Sequence, residues 1–219
     1  TLERLYSFVK NQKEEWEILI VNDGSKDKTL EILEGFRPKF FKILSYNPNR
    51  GKGFAIKTGV KKASGEFICF TDSDLAYSFE NLKQAVLELE KYDLCIGSRS
   101  LANTPENAGL LREITGRGFR IISFLILGYN IKDKQCGLKA FRRDVAKDLF
   151  FRQKINGFSF DSEILYLSKK RKYILKEIPA VTSIDHSYKD SKINLLKEPI
   201  KMFLDLLKIR LNDIRGKYE

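Results

Sequence analysis

The chain has 219 residues, of which 42% are hydrophobic, and its 40 Lys and Arg against 29 Asp and Glu give a formal net charge of +11. This apolar content excludes a disordered chain and is sufficient for one domain with its own core. No apolar run approaches the roughly 18 residues of a membrane-spanning helix, and no signal peptide is visible.

Helical and strand patterns alternate along the first hundred residues. Helical spacing of apolar residues occurs in segments 2–9, 29–36, 53–63 and 79–91. Short apolar runs predict strands at 17–21, 40–44, 66–71 and 93–97. This alternation predicts an α/β fold of right-handed βαβ units, with a mostly parallel, Rossmann-like sheet flanked by helices. Ligands of such sheets bind beyond the carboxyl ends of the strands, so the residues that follow each strand are the first candidates for a site.

Two carboxylates, Asp72 and Asp74, follow the third predicted strand. A pair at this spacing can hold one hard divalent cation against the phosphates of a nucleotide, because Mg²⁺ is usually bound by one or two carboxylates plus substrate phosphates. The alternative is structural, since Asp74 can cap the helix predicted to begin at Phe79.

Glycine-rich turns follow the first two strands. Arg50, Gly51 and Lys52 precede a helix, where backbone N–H groups and two cations can approach a phosphate. The segment lacks the spacing of a Walker A loop and can equally be an ordinary turn. Asp23 can accept a hydrogen bond from the base or ribose of a nucleotide, or can belong only to a turn.

Other catalytic chemistries are poorly supported. His186 is the only histidine, which excludes a histidine-based metal cluster and makes a Ser-His-Asp triad improbable. The three cysteines are too scattered for a disulfide framework, which favours a reducing compartment. Among them, Cys136 has no evident activating partner and is interpreted as a packing residue.

Together, these turns resemble the family 2 glycosyltransferases of the GT-A (nucleotide-diphospho-sugar transferase) fold. Within the family they are most similar to the branch of dolichyl-phosphate glucosyltransferases and dolichyl-phosphate mannose synthases. Each motif alone is weak, but the matches run in the family's order and cover nearly the whole chain. The matching residues are Ile18–Ser25, Asn49–Gly53, Thr71–Asp74, Ile96–Arg99, Arg112 with Gly116–Gly118, Asp133–Gly137 and Phe160–Glu163.

The resemblance implies a donor side built from the first three turns. Asp23 would contact the base or ribose, and Gly51 and Lys52 would lie near the donor. Asp72 and Asp74 would hold the donor diphosphate together with Mg²⁺ or Mn²⁺.

The resemblance also implies an acceptor side. Arg99, Arg112 and Arg117 match positions that bind the phosphate of a lipid acceptor. Asp133 and Gln135 lie in the loop that closes over the donor sugar.

Asp161 and Glu163 match residues on the acceptor side of the family's site. Among all the matched positions, the resemblance makes Asp74, Asp133 and Asp161 the candidate catalytic residues.

The reaction expected from the resemblance is metal-dependent, inverting transfer of glucose or mannose from UDP-glucose or GDP-mannose to a dolichyl or undecaprenyl phosphate. A phosphate monoester has a second pKa of about 6, so much of it is dianionic at neutral pH and needs no general base. Transfer to a saccharide hydroxyl, as in polysaccharide synthesis, is the alternative and would need Asp133 or Asp161 as base. Nucleic-acid binding is a remote alternative, because the cations do not form a recognised module, and no nucleic-acid partner is expected.

Two features depart from the family pattern. The family opens with a strand that ends in Pro-x-Tyr-Asn-Glu, whereas this chain starts at the following helix, so we expect a first segment to precede Thr1. Mannose synthases can add a metal ligand at the position of Ala76, whose side chain cannot ligate. Two carboxylates would then be completed by phosphate and water.

The predicted domains are a catalytic domain at 1–190 and an amphipathic C-terminal helix at 191–219. One stripe of the helix is apolar and consists of Leu196, Ile200, Phe203, Leu207, Leu211 and Ile214. Another is basic and consists of Lys197, Lys201, Lys208 and Arg215. The helix either lies in the headgroups of an anionic membrane, peripherally at the cytoplasmic inner face, or packs on the domain. The apolar segment 121–128 is too short to span a membrane and is either buried or part of a lipid groove.

Overall fold

The computed structural model describes residues 1–36, 38–102, 118, 121–129, 131, 133, 136–181 and 197–219. The helices are α1 (Leu2–Lys10), α2 (Thr29–Gly35), α3 (Lys52–Lys62), α4 (Phe79–Leu87), α5 (Arg143–Arg152), α6 (Phe160–Lys170) and α7 (Lys197–Ile214). The strands are β1 (Ile18–Asp23), β2 (Phe41–Tyr46), β3 (Phe67–Phe70), β4 (Leu94–Ser98), β5 (Lys139–Arg142) and β6 (Leu175–Pro179). Residues 121–127 are also helical.

The helices and strands predicted for the first hundred residues are confirmed, with bounds shifted by a few residues. The helix predicted at 79–91 ends earlier than expected: α4 stops at Leu87 and is followed by a 3-10 turn over Glu88–Glu90. β5 and β6 were not predicted. Both are short, and the lysines Lys139 and Lys176 interrupt their apolar pattern.

The described strands form two hydrogen-bonded groups. β1 pairs with β2 in parallel, while the second group has the order β3-β5-β4-β6. β4 and β6 are parallel, but β5 runs antiparallel to both β3 and β4. The reversal arises because β5 begins where its neighbours end: Lys139 pairs with Phe70 and with Ile96. A strand that enters from the carboxyl edge must run back toward the opposite edge.

The two central strands of the four-stranded group, β5 and β4, are buried on both faces. Leu94 and Ile96 of β4 face a core formed with α5 and α6, whereas Cys95 between them faces a smaller cluster on the other side. Phe141 of β5 packs edge-on against Phe150 of α5 at a ring distance of 5.7 Å. Burial on both faces explains why β4 is a continuous apolar run and not an alternating one.

The C-terminal helix α7 has two apolar faces. Leu206 and Ile209 are fully buried in the core that α6 also lines. The described residues of the predicted apolar stripe lie on the other face and are exposed, with Ile200 at 65%, Leu211 at 49% and Ile214 at 71% exposure. The helix therefore packs on the domain, but through Leu206 and Ile209 and not through the described part of the predicted stripe. No described helix is both long enough and apolar enough to cross a membrane.

Candidate active site

The candidate site lies at the edge where strands of both groups end. β1 ends at Asp23, β3 is followed by Asp72 and Asp74, and β4 is followed by Arg99. β5 begins at the same edge with Lys139. The fold therefore brings most of the described candidate residues into one region, as expected for an α/β protein.

The turn before α3 is fixed by Asp23. One carboxylate oxygen accepts the backbone N–H of Arg50 at 2.7 Å, and the other accepts that of Gly51 at 2.9 Å. Gly51 has φ +98°, and a Cβ there would lie 2.6 Å from the carbonyl oxygen of Asn156, so only glycine fits. These contacts set the direction in which α3 starts and thereby aim Lys52. The role of Asp23 toward a nucleotide stays a prediction.

The two carboxylates after β3 lie in a tight turn. The carbonyl of Asp72 accepts the N–H of Leu75 at 3.0 Å, and Asp74 accepts the N–H of Ala76 at 3.2 Å. Leu75 has φ +52° and is buried, so its side chain anchors the turn in the core. Ser78 caps α4 by accepting a first-turn N–H at 3.2 Å. The alternative that Asp74 caps this helix is therefore wrong.

Lys52 stands among three carboxylates. Its Nζ lies 2.7 Å from Oδ1 of Asp72, in a pair in which both side chains are partly exposed. Burial lowers the pKa of Lys52, but the charges of Asp161, Asp72 and Asp74 outweigh this effect and raise the pKa above its ordinary value. The ammonium is therefore held charged beside the carboxylates predicted to bind the cation.

A buried ion pair lies directly behind this cluster. Lys139 has no exposed surface, and its Nζ lies 2.7 Å from Oδ1 of Asp161 and donates to the carbonyl of Cys136 at 2.6 Å. Burial raises the pKa of Asp161, and the charges of Lys139 and Lys52 offset only part of that rise. Sequence reasoning missed Lys139. Its signal was a lysine inside the apolar run Leu138–Phe141.

Gly137 lets the chain before β5 approach the carboxylate pair. A Cβ at this position would lie 2.2 Å from Oδ2 of Asp72, which is closer than any real contact. The preceding residue, Cys136, is fully buried, and burial raises the pKa of its thiol. Both observations agree with the interpretation of Cys136 as a packing residue.

Arg99 and Asp133 form a bidentate ion pair. The Arg99 side chain donates to Asp133 through Nε at 2.7 Å and through Nη2 at 3.1 Å, and its backbone N–H adds a third bond at 3.1 Å. Burial raises the pKa of Asp133, but these hydrogen bonds and the Arg99 charge bring it below its ordinary value. Their predicted roles toward acceptor and sugar stay predictions. Arg112, Arg117 and Gln135 lie outside the described residues, as does His186.

Glu163 has a different environment from Asp161, with which the resemblance grouped it. Its buried carboxylate accepts the backbone N–H groups of Lys154 at 3.0 Å and Ile155 at 2.8 Å. It also accepts the hydroxyl of Tyr218 at 2.5 Å. Glu163 therefore joins the loop before α6 to the end of the chain, and the sequence offered no signal for this contact.

The two carboxylates after β3 suit a hard divalent cation that also binds water and phosphate oxygens. Asp72 and Asp74 project from one turn, and the described residues contain no group of three His, Cys, Asp or Glu side chains suited to a metal. Two carboxylates match the way Mg²⁺ is bound next to phosphates, with water and phosphate oxygens completing its shell. The residues present are thus compatible with Mg²⁺ or Mn²⁺ and would leave positions for a diphosphate.

Several curated relatives of the chain are named as dolichyl-phosphate beta-glucosyltransferases. The dolichyl-phosphate beta-glucosyltransferase ALG5C of Trichomonas vaginalis is 34% identical over 92% of this chain and 62% of its own length. The dolichyl-phosphate beta-glucosyltransferase of Saccharomyces cerevisiae is 32% identical over 97% of this chain and 70% of its own length. The chain thus spans about three fifths of the first of these relatives.

Solved structures share the fold of this chain. Mannosyl-3-phosphoglycerate synthase from Rubrobacter xylanophilus has a TM-score of 0.65 and 14% identity, covering 99% of this chain and 69% of that one. Glucosyl-3-phosphoglycerate synthase from Mycobacterium tuberculosis, in complex with UDP, has a TM-score of 0.59 and 17% identity. The match covers 89% of this chain and 67% of that one. These neighbours confirm the GT-A fold predicted from the sequence.

A family model supplies the most direct assignment. The model described as glycosyl transferase family 2 matches residues 1–150, which is more than half of the chain. The matched stretch includes the turn after β1, the start of α3, the carboxylate pair and the Arg99–Asp133 pair. The chain therefore belongs to glycosyl transferase family 2.

Proposed function

We propose that the chain transfers glucose from UDP-glucose to a polyprenyl phosphate such as dolichyl phosphate, with inversion at the anomeric carbon. The printed activity of its relatives supports glucose over mannose and a lipid phosphate as acceptor. Structural neighbours crystallised with UDP-glucose and Mn²⁺ support UDP-glucose as donor and a divalent cation as cofactor.

The observation that carries the proposal is the juxtaposition of Lys52, Asp72, Asp74 and Asp161 at the carboxyl edge of the sheet. Asp72 and Asp74 would hold the divalent cation, which would stabilise the negative charge of the leaving diphosphate. Lys52 stays cationic because its pKa is raised, so it adds a positive charge on the donor side.

The ion pairs of the two candidate bases, Asp133 and Asp161, bear on the choice between a phosphate and a hydroxyl acceptor. Asp133 is tied to Arg99, and Asp161 is buried against Lys139, so both candidate bases have cationic partners. A dianionic phosphate needs no base, whereas a saccharide hydroxyl does. The geometry thus favours the phosphate acceptor. Arg99 together with Arg112 and Arg117 would bring the two anions together.

We also propose that α7 rests on a membrane surface at the cytoplasmic face. Its apolar stripe, with Ile200, Leu207 and Leu211, is exposed, and the basic side chains of Lys201 and Lys208 are exposed as well. A helix with this pattern lies in the headgroup region, where cations face anionic lipid. A lipid-linked acceptor would then be delivered from the same surface.

A transfer assay tests the reaction. The full chain is incubated with Mn²⁺, radiolabelled UDP-glucose or GDP-mannose, and either a short-chain dolichyl phosphate or an oligosaccharide. We expect label from UDP-glucose in an organic-extractable product that depends on the lipid phosphate. Label found only in oligosaccharide, or only from GDP-mannose, would contradict the proposal.

The pH profile tests the absence of a general base. With the lipid phosphate, the rate should rise with the second ionisation of the acceptor. A phosphonate analogue ionises at higher pH, so the rising limb should move upward with it. If the rising limb of the pH–rate profile lies at the same pH for both acceptors, the ionisation that it reports belongs to a group of the protein. That result would contradict the mechanism.

A further inference from the structure

Charges alternate along a chain of four side chains in the site. Lys139 contacts Asp161 at 2.7 Å in the core, and Lys52 contacts Asp72 at 2.7 Å at the edge. Lys52 links the two pairs, because it contacts Asp72 directly and is also acted on by the charge of Asp161. The ammonium of Lys52 is therefore attracted both by a carboxylate fixed in the core and by a carboxylate of the cation-binding pair.

This arrangement creates competition for one oxygen. The Nζ of Lys52 lies at Oδ1 of Asp72, which is also one of the oxygens available to a divalent cation. An ammonium and a metal ion of like charge repel each other at such distances, so a cation bound there displaces Lys52 from Asp72. Asp161 keeps the displaced ammonium in the site, since Lys139 holds that carboxylate in place.

A nucleoside diphosphate removes the competition. Its phosphates supply a second anionic partner for Lys52 and further oxygen ligands for the cation. Binding of one component then favours binding of the other, and the coupling is reciprocal by thermodynamic linkage.

We propose that Lys52 is a positioning residue that suppresses cation binding by Asp72 and Asp74 until a nucleoside diphosphate is present. The inference rests on the proposed donor and cofactor, but it concerns their coupling and not the acceptor. It also assigns a role to the buried Lys139–Asp161 pair, which anchors Lys52 within reach of both partners.

Direct Mn²⁺ binding tests the inference without turnover. Free Mn²⁺ is measured by electron paramagnetic resonance as the full chain is titrated, without and with UDP. Lys52→Met should bind Mn²⁺ about tenfold more tightly than the wild type without UDP, within the usual range of coupling energies. The gain in Mn²⁺ affinity on adding UDP should shrink by the same factor. Lys62→Met removes a charge from the same helix and should match the wild type.

The opposite sign would overturn the inference. If Lys52 served only to orient Asp72, Lys52→Met would bind Mn²⁺ more weakly than the wild type in the absence of UDP. That result, or an unchanged Mn²⁺ affinity, would overturn the inference. Lys52→Arg keeps the positive charge, so it should not show the tighter Mn²⁺ binding that is expected of Lys52→Met. Failure of the proposed function looks different, because the wild-type chain would then show no mutual enhancement of Mn²⁺ and UDP binding.

Discussion

Replacing Lys139 by Met tests whether the buried ion pair supports the site. Methionine has a similar length but no charge, so Asp161 loses the ammonium 2.7 Å away and the Cys136 carbonyl loses its donor at 2.6 Å. Breaking a buried pair by removing one partner costs about 3–5 kcal/mol. With an m-value of about 2 kcal/mol/M, a loss of about 4 kcal/mol lowers the urea midpoint by about 2 M.

The measurement is urea unfolding followed by circular dichroism, with Lys139→Met/Asp161→Asn as the matched control. The double variant removes the unpaired carboxylate, so we expect it to be more stable than Lys139→Met alone. Asp161 already has a raised pKa, and losing Lys139 raises it further. A raised pKa in the folded state means that stability is lost as the pH rises through that pKa, so the deficit of Lys139→Met should be smaller at pH 5 than at pH 7. A midpoint shift below about 0.5 M, or a deficit that grows on acidification, would refute the reasoning.

The remaining predictions concern the cation and the membrane. Asp74→Asn should lower Mn²⁺-dependent glucose transfer about 100-fold or more with an unchanged melting temperature, and full activity would contradict the cation assignment. Gly137→Ala should weaken Mn²⁺ binding in resonance titrations, because its Cβ collides with Asp72 at 2.2 Å, and wild-type affinity would show that the turn can adjust. Leu207→Ser/Leu211→Ser should reduce sedimentation with anionic vesicles more than about tenfold at unchanged stability, since both side chains are exposed. Equal sedimentation would remove the membrane role of α7.

A C-terminal deletion is a poorer test of the membrane role than these substitutions. Removing α7 would also remove Leu206 and Ile209 from the core and the Tyr218 hydroxyl from Glu163. Loss of vesicle binding in such a variant would then report on folding as well as on the exposed stripe.

The sequence predicted the features that depend on local pattern. An apolar run followed by a polar turn identifies a strand and its carboxyl end, which is why Asp23, Asp72 and Arg99 were recognised together. The alternation of helices and strands predicts the α/β sheet, and the resemblance of the ordered turns to family 2 glycosyltransferases implies the GT-A fold. The alternative that Asp74 caps α4 is wrong because Ser78, four residues later, fills that role.

The features that were missed depend on tertiary register. Lys139 meets Asp161 only because β5 inserts between β3 and β4, and nothing local reveals that insertion. Likewise, the pairing of Arg99 with Asp133 joins residues 34 positions apart in the chain. In α7, periodicity identified an apolar stripe but not the second apolar face, with Leu206 and Ile209, that the domain covers.

The carboxylate of Glu163 has a consequence for local opening of the protein. It accepts the backbone N–H groups of Lys154 and Ile155 and also the hydroxyl of Tyr218. Detachment of the residues that follow α7 would leave this carboxylate exposed to water and weaken its hold on the two amides. Deuterium uptake at the amides of residues 154 and 155 therefore reports whether the residues that follow α7 are bound to the domain.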